Sequence, residues 1–311
     1  PASKLSSATP SAGASPATPP ETGKELLNRI IEERNKKLIT EWEEALKKNS
    51  KAKKPTPVVA SEINEDEIPF EIPENWCWCR VKDIFLHQTG KTLNKDTNKE
   101  GIELDYLTTS NVYWNSFDFT ELRTMKFKES EIERYSVKKG DLLILEGGEY
   151  RGRTAVWNLD RKVAYQNHLH RLRAYIEQNP YFYSYVMQAY RADGIIYAIS
   201  KGEAIPAISS GVLGNLLIPL PPLAVQNAIV EKLEQVLPLV DAYENALLQK
   251  EELKTALPDK VKKAILQEAI TGQLTEAWRK SATIKESGKQ LLDRIRSEEH
   301  TSELQSRPHI S

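Results

Sequence analysis

The stretch Glu21-Thr-Gly-Lys-Glu-Leu-Leu-Asn-Arg-Ile30 returns near the other end of the chain as Glu286-Ser-Gly-Lys-Gln-Leu-Leu-Asp-Arg-Ile295. Every paired position holds the same residue or a near replacement, which predicts about one full unit of a tandem array, cut on both sides, whose last segment is a beginning and not a tail. Each copy carries a helix-entry signal, Thr22-x-x-Glu25 and Ser287-x-x-Gln290. In that pattern a hydroxyl and a carboxylate or amide reciprocally satisfy backbone donors that the first helical turn leaves open. The repeat therefore marks a helix start that the architecture needs twice.

Working outward, 311 residues predict one sizeable core with a helical appendage, roughly two domains. No apolar run approaches the roughly 18 residues of a membrane span, and Pro1 opens no charged-then-apolar leader, so the expectation is a cytoplasmic protein, read as a fragment. The two cysteines, in Trp76-Cys77-Trp78-Cys79-Arg80, are too close for an ordinary disulfide and lack a second ligand pair for zinc. They read as buried or half-buried strand thiols. A formal charge of −1 neither supports nor excludes nucleic acid, because neutrality of the whole can hide a basic face.

Composition divides the chain. Residues 1–20, rich in Ser, Ala, Pro and Thr, read as a disordered linker. Residues 21–50 read as an amphipathic helix with Leu27, Ile30, Ile31, Leu38 and Trp42 mostly on one face, and 51–68 as a second linker. Between 69 and 222, short strand-like runs (Trp76–Val81, Tyr106–Thr109, Asp141–Leu145, Thr154–Asn158, His168–Tyr175) surround one helix capped by Asn179 with Pro180 in its first turn. The fold class expected is α+β, a mixed α/β domain, followed by a long helical hairpin or coiled coil over 223–272. There Ile229, Leu233, Val236, Val240, Tyr243 and Leu247 form a seam, with a kink or a helix break expected near Pro238 and a turn into a second helix at Leu257-Pro258-Asp259. The first helix is a candidate third strand of that bundle. Residues 273–295 begin the next unit. The segment from Arg296 to Ser306, with the five residues after it, resembles the conceptual translation of a sequencing adapter, so 296–311 are read as a non-native tail.

Three motifs suggest chemistry and do not complete it. Thr89-Gly-Lys-Thr92 looks like the end of a phosphate loop, but Phe85 stands where that loop needs glycine, leaving a polar loop between strands. Asn179-Pro-Tyr-Phe182 approaches an amino-methyltransferase motif, yet its third residue is wrong and no methyl-donor loop precedes it. His168-x-His170 sets two imidazoles on one strand face without a carboxylate or cysteine to complete a metal set. What remains are two ligand-touching loops, Ser110-Asn-Val-Tyr-Trp114 and Glu146-Gly-Gly-Glu-Tyr-Arg-Gly-Arg153, the second carrying two arginine forks on a glycine-flexed turn. Solvated loop charge is the equal alternative for those arginines.

The ordered set Ile72-Pro-Glu-Asn-Trp76, Gly140-Asp-Leu-Leu-Ile144, Glu146-Gly-Gly-Glu149 with Gly152-Arg-Thr154, Ile208-Ser-Ser-x-x-Leu213, Ile218-Pro-Leu-Pro-Pro-Leu223, Gln226–Ile229 and Ala264–Leu274 resembles the specificity subunit of type I restriction–modification systems. The resemblance runs from about Glu21 to Ile295. It implies that 69–222 form a target-recognition domain reading one half of a bipartite site in double-stranded DNA. It implies that the 223–272 helices space two such domains and dock the methyltransferase (modification) subunit, with a restriction/translocase subunit as further partner. The chain itself is then non-catalytic and without cofactor or metal, S-adenosylmethionine and ATP with Mg belonging to the partner subunits, and no membrane is involved.

DNA-contact candidates are assigned by loop position: Lys91, Thr92, Asn94 and Lys95; Ser110, Asn111, Tyr113 and Trp114; Tyr150, Arg151 and Arg153; Asn167, His168 and His170; and Lys201. The basic members are expected mostly on phosphates, and Asn111, Arg151 and Arg153 on base edges. Two other classes compete. A DNA adenine methyltransferase fragment would require the missing methyl-donor loop, and a purely structural coiled-coil adaptor would leave the polar-looped domain without a task.

Overall fold

The computed structural model describes residues 21–49, 51–92, 101–202 and 206–305. The linker expected over 1–20 lies outside them, as do Asn94 and Lys95. Two compact units divide near Gln235 and Val236.

In the first unit, α1 (Gly23–Lys48) opens with the expected reciprocal cap: Thr22 N donates to Glu25 Oε2 at 2.7 Å and Glu25 N to Thr22 Oγ1 at 3.2 Å. Along the chain come β1 (Cys77–Arg80), α2 (Val81–Ile84), β2 (Phe85–Thr89), β3 (Ile102–Leu107), β4 (Val112–Tyr113), β5 (Ser116–Phe117), β6 (Arg123–Phe127), α3 (Glu129–Tyr135), β7 (Leu142–Leu145) and β8 (Thr154–Val156). Next are β9 (Ala164–Tyr165), β10 (Leu169–Ala174), α4 (Pro180–Ala192), α5 (Ile195–Ile199), α6 (Ser210–Asn215) and β11 (Leu217–Leu220). The central sheet has order β2-β10-β7-β8 and is antiparallel throughout, with Leu172 facing both His87 and Leu142 in register. A second sheet, β6-β3-β9, mixes an antiparallel and a parallel pair. Two small ribbons, β1-β11 and β4-β5, complete the set. The α+β expectation holds, and β1 carries Cys77 half-buried and Cys79 buried, both free thiols.

The β7 run Leu142–Leu145 is buried on both faces, which explains its unbroken apolar sequence. Its Leu142 and Ile144 join a core with Ile84, Phe85, Phe182, Tyr183 and Met187; its Leu143 and Leu145 join another with Trp157, Tyr165 and Leu169. The first core includes Leu26, Leu27 and Ile30 of α1. Burial of that triad, worth about 1.5–3 kcal/mol per side chain, seats α1 on this body; the sequence had offered the helix to the bundle as a third strand. Gly23 makes the seat possible, since a Cβ there would stand 2.1 Å from the Leu220 carbonyl oxygen.

The stretch 51–68, expected as a linker, is tied to the body. Asn35 clasps Val58 (Nδ2 to O, 2.9 Å; Val58 N to Oδ1, 2.7 Å), Trp42 Nε1 donates to Ala52 O at 2.9 Å, Ser61 donates to Asp83, and Arg80 pairs with Glu67 at 2.7 Å. Proline and charge patterning reads mobility into this stretch because specific side-chain clasps leave no periodic trace.

The helical part also departs from expectation in detail. α7 (Leu223–Ile270) is one helix of 48 residues with Pro238 and Pro258 inside it, so of the kink or break expected at Pro238 the break is absent, and the turn expected at Pro258 is absent too. A proline forfeits one backbone bond and crowds the preceding turn, which a bend absorbs when strong helix formers flank it. Its first turns anchor in the first unit: Gln226 is buried, accepting from Asn179 N at 2.9 Å and donating to Pro221 O at 3.0 Å. In the second unit Val236, Val240, Tyr243 and Leu247 leave the seam exposed. Thr271 and Gly272 end α7, and α8 (Glu276–Ser281) and α9 (Gly288–Gln305) come after it. Among the described residues no helix is long and apolar enough to cross a membrane.

Candidate nucleic-acid interface

The Glu146–Arg153 loop joins β7 to β8, and its neighbours fix it. Gly152, at φ +80°, takes a conformation that L side chains rarely adopt, and a Cβ there would meet Ile196 Cγ2 at 2.8 Å, so only glycine lets the loop lie against α5. Gly148 N donates to Pro206 O at 3.2 Å, and Lys201 and Ala207 exchange backbone bonds at 3.0 and 2.9 Å, which brings the Lys201 segment alongside. Asn115 N donates to Thr154 O at 3.0 Å and Arg153 Nη1 lies 3.5 Å from Val112 O, so the β4-β5 ribbon flanks the loop on its other side.

Three segments thus converge in a cluster of arginines and aromatic rings. The Arg153 guanidinium sits 3.9 Å from the Tyr150 ring centre and 5.0 Å from that of Tyr113. Arg151 lies 4.5 Å from the Tyr197 ring and donates Nε–H to Ser200 Oγ at 2.9 Å; Arg191 lies 5.1 Å from the same ring and donates to Arg151 O at 2.8 Å. Tyr113, Tyr150, Tyr197 and Lys201 are exposed. Trp114, Gln188, Arg191 and Tyr197 wall a shallow concavity beside them. Stacking on rings holds a guanidinium plane at little entropic cost, and Arg153 Nε has no hydrogen-bond partner among the described residues. Arg191, Tyr197 and Gln188 were missed from sequence: Arg191 reads there as an ordinary cation at a helix C-terminus, and Tyr197 sits in a helix too short to show a period.

Several candidates fall elsewhere. Asn111 is 2% exposed; its Oδ1 accepts from Thr108 N and Oγ1, both at 2.8 Å, and its Nδ2 donates to Asp118 O at 2.9 Å, so the amide holds a turn and is no base reader. Ser110 remains exposed at that turn, its hydroxyl 2.8 Å from Thr108 Oγ1. Lys91 is largely covered, ion-paired to Glu131 at 2.6 Å and set over the Phe127 ring, which removes it as a phosphate ligand; Thr92 beside it is exposed. Lys91 also bridges the turn with Asn167, whose N–H donates to Lys91 O at 3.1 Å.

The two histidines do not share a face. His168 lies in the turn before β10, exposed, with Nδ1 2.9 Å from Glu146 Oε2. His170 is 0% exposed, its Nε2 2.9 Å from Ile208 O and its Nδ1 3.0 Å from His87 Nε2. A carbonyl only accepts, so His170 carries its proton on Nε2 and accepts from His87 through Nδ1. Among the described residues no group of three or more His, Cys, Asp or Glu is placed to hold a metal ion.

This pair predicts an acid sensitivity. Burial, then the neighbouring His170, push His87 down to about 4, below the usual value of about 6.5 for the unfolded chain. The unfolded state therefore takes the proton first, and stability present above about pH 6.5 is lost as pH falls towards 4. After allowance for the partial exposure of the ring, the loss is on the order of 2 kcal/mol. Urea midpoints measured across that window should flatten in His87→Gln, whose amide can still donate to His170; an equal slope in both proteins would refute the assignment.

Residues 73–253 match the model of the type I restriction modification DNA specificity domain. The chain is 24% identical over 229 residues to the type I restriction enzyme EcoAI specificity subunit of Escherichia coli, covering 70% of this chain and 36% of that protein. It is 23% identical over 245 residues to the EcoEI specificity subunit of the same organism, covering 71% and 37%. The chain thus spans a little over a third of the length of these curated relatives. The HsdS subunit from Thermoanaerobacter tengcongensis aligns at TM-score 0.44 and 21% identity, covering 72% of this chain and 50% of that one. The matched segment takes in the sheets, the arginine–aromatic cluster and α7 as far as residue 253, more than half of the chain, and on that match the protein belongs to the type I restriction modification DNA specificity domain family.

Proposed function

We propose that this chain is a non-catalytic DNA-recognition part of a type I restriction–modification assembly, its first unit reading one half of a bipartite site in double-stranded DNA. The observation that carries the reading is the convergence of the Glu146–Arg153 loop, the β4-β5 ribbon and the Lys201 segment into one cluster, Arg153 lying over the rings of Tyr150 and Tyr113 with Tyr113, Tyr150, Tyr197 and Lys201 exposed. A guanidinium positioned by aromatic rings at a partly exposed surface suits the O6/N7 edge of guanine or a phosphate, whereas no group in the cluster is arranged as a nucleophile and base. Arg151, Arg191 and Lys201 supply charge beside it, and Tyr113, Trp114, Tyr150 and Tyr197 supply apolar and stacking surface. The exposed seam of α7 would pair with the methyltransferase subunit or a second helical region, a restriction/translocase subunit completing the assembly. S-adenosylmethionine, ATP and Mg would be bound by those partners, in the cytoplasm.

Arg153→Ala is expected to weaken binding to the cognate half-site by about 1–3 kcal/mol and to relax preference at one base position. Lys201→Ala should instead weaken all duplexes alike and lower the salt-dependence slope by about 1. Titrations of cognate and single-mismatch duplexes against the assembled complex separate the two. Unchanged discrimination in Arg153→Ala would remove the arginine as a base reader.

A further inference from the structure

The arginine-bearing loop begins with an acid whose position the backbone fixes. Glu146 N donates to His168 O at 3.0 Å, Glu146 O accepts from Ile208 N at 2.8 Å, and on the β8 side Gly152 N donates to Leu145 O at 2.9 Å. Glu146 therefore stands between the turn that precedes β10 and the end of the loop that bears Arg153, beside the segment that ties Lys201 to Ala207. Its carboxylate divides its two oxygens. Oε2 lies 2.9 Å from His168 Nδ1, and because a carboxylate only accepts, the imidazole N–H is the donor. Oε1 has no hydrogen-bond partner among the described residues and keeps contact with solvent, in a side chain 26% exposed. The result is one anchored oxygen and one open acceptor at a surface otherwise furnished with cations.

We propose that Glu146 is a specificity-determining residue, its open oxygen accepting from the exocyclic amino group of a cytosine or adenine in the major groove, with His168 as the residue that positions the carboxylate. The inference rests on the DNA reading proposed above and deepens it. Phosphates line every duplex, so a carboxylate at a binding surface is repelled whatever the sequence. It gains only where an uncharged donor faces it, and in the major groove the donors are cytosine N4 and adenine N6, whereas guanine O6 and N7 and thymine O4 are acceptors. A carboxylate there selects as much by what it repels as by what it binds. Arg153 and Glu146 stand at the two ends of one loop and so read different base pairs, the first through a donor fork and the second through an acceptor. His168, expected on a phosphate, is given to the carboxylate instead; its N–H holds the plane of the carboxylate and spares it a search among rotamers.

The test is a binding selection with the assembled complex on duplexes randomised across the half-site, base preference being read position by position. The wild type is expected to restrict one position to cytosine or adenine, distinct from the position that Arg153→Ala relaxes, and the base enriched there says which amino group is read. Glu146→Gln still accepts from His168 but adds donors, so that position should lose about tenfold of its preference over guanine and thymine while the rest of the profile stands. His168→Ala should weaken the same position, and His168→Asn, which again offers an N–H, should restore it. Glu149→Gln, removing an equal charge from an exposed residue of the same loop, should tighten all duplexes alike without moving the profile. The wild-type complex also tests the proposal with no change to the protein: replacing the enriched base by its deamino analogue, 2-pyrimidinone or purine, should cost about tenfold in affinity. A Glu146→Gln profile identical to the wild type, a proportional weakening of all sequences, or a deamino analogue bound as well as the natural base overturns the inference and leaves Glu146 as a tie between β7 and β10. A wild-type selection with no base preference at any position would sink the DNA-reading proposal as well.

Discussion

Trp157→Ala is expected to lower the unfolding free energy by about 3–5 kcal/mol and to blunt DNA discrimination with it. Trp157 is fully buried directly after β8, and the rings of Phe117 and Phe119 meet it edge-on at centroid distances of 5.0 and 6.0 Å. Removing the indole empties the space on which the β4-β5 ribbon rests, and close-packed interiors refill such space only in part. The ribbon carries Tyr113 and Trp114, and Tyr113 is one of the two rings that flatten the Arg153 guanidinium. Loss of core packing thus becomes loss of alignment at the proposed DNA-reading surface. Chemical denaturation reads the first effect and half-site titration the second. A destabilisation under about 1 kcal/mol would mean that the ribbon is held by its backbone bonds and not by this ring.

Trp157 also shows what the sequence could and could not announce. Elements whose identity rests on local pattern were legible. The capping box at Thr22 and Glu25, the Asn179-Pro180 helix start and the apolar run Leu142–Leu145 are each set by residues near in sequence, and each forms as expected. Elements defined by a distant partner were not. Phe85–Thr89 becomes a strand because β10 lies beside it, and α1 settles on the body because a carbonyl from β11 admits Gly23. The two prolines of α7 read as punctuation, yet the helix passes through both.

The candidate site divides along the same line. Tyr150, Arg151 and Arg153 share one loop, which the motif shows, whereas Tyr113 and Trp114 join them only because the β4-β5 ribbon lies beside β8, a long-range pairing with no local trace. Asn111 and His170 are inward-facing because their side chains complete a turn and a buried imidazole pair. Residue type alone could not separate a polar side chain that reads from one that holds the reader in place. Arg191 reaches the cluster only because α4 ends beneath the loop, bonding Glu149 O and Arg151 O.

Asp141→Ala should produce a loss of comparable size by a different route, about 3–5 kcal/mol. The Asp141 carboxylate, 1% exposed, accepts from Arg173 Nε and Nη2, both at 2.7 Å, and from Lys138 N at 2.7 Å. It ties the start of β7 to β10 in the central sheet and fixes the turn that leads into Gly140-Asp-Leu-Leu-Ile144. Its removal leaves a mostly covered guanidinium with only Ser136 O at 3.3 Å and the solvent-exposed Glu133 carboxylate at 4.0 Å, and an under-compensated buried charge outweighs the net worth of the pair. The double variant Asp141→Ala with Arg173→Leu removes both charges and should recover more than half of the loss, leaving mainly the cost of the unbonded Lys138 amide. Because the pair is shielded from solvent, the single-variant loss should hold between low and high salt, where an exposed pair would fade. Urea denaturation of the two variants at both salt levels decides the matter. A double variant no more stable than Asp141→Ala would place the cost in the turn, and would make the carboxylate's bond to Lys138 N, not the arginine, the tie that fixes the sheet.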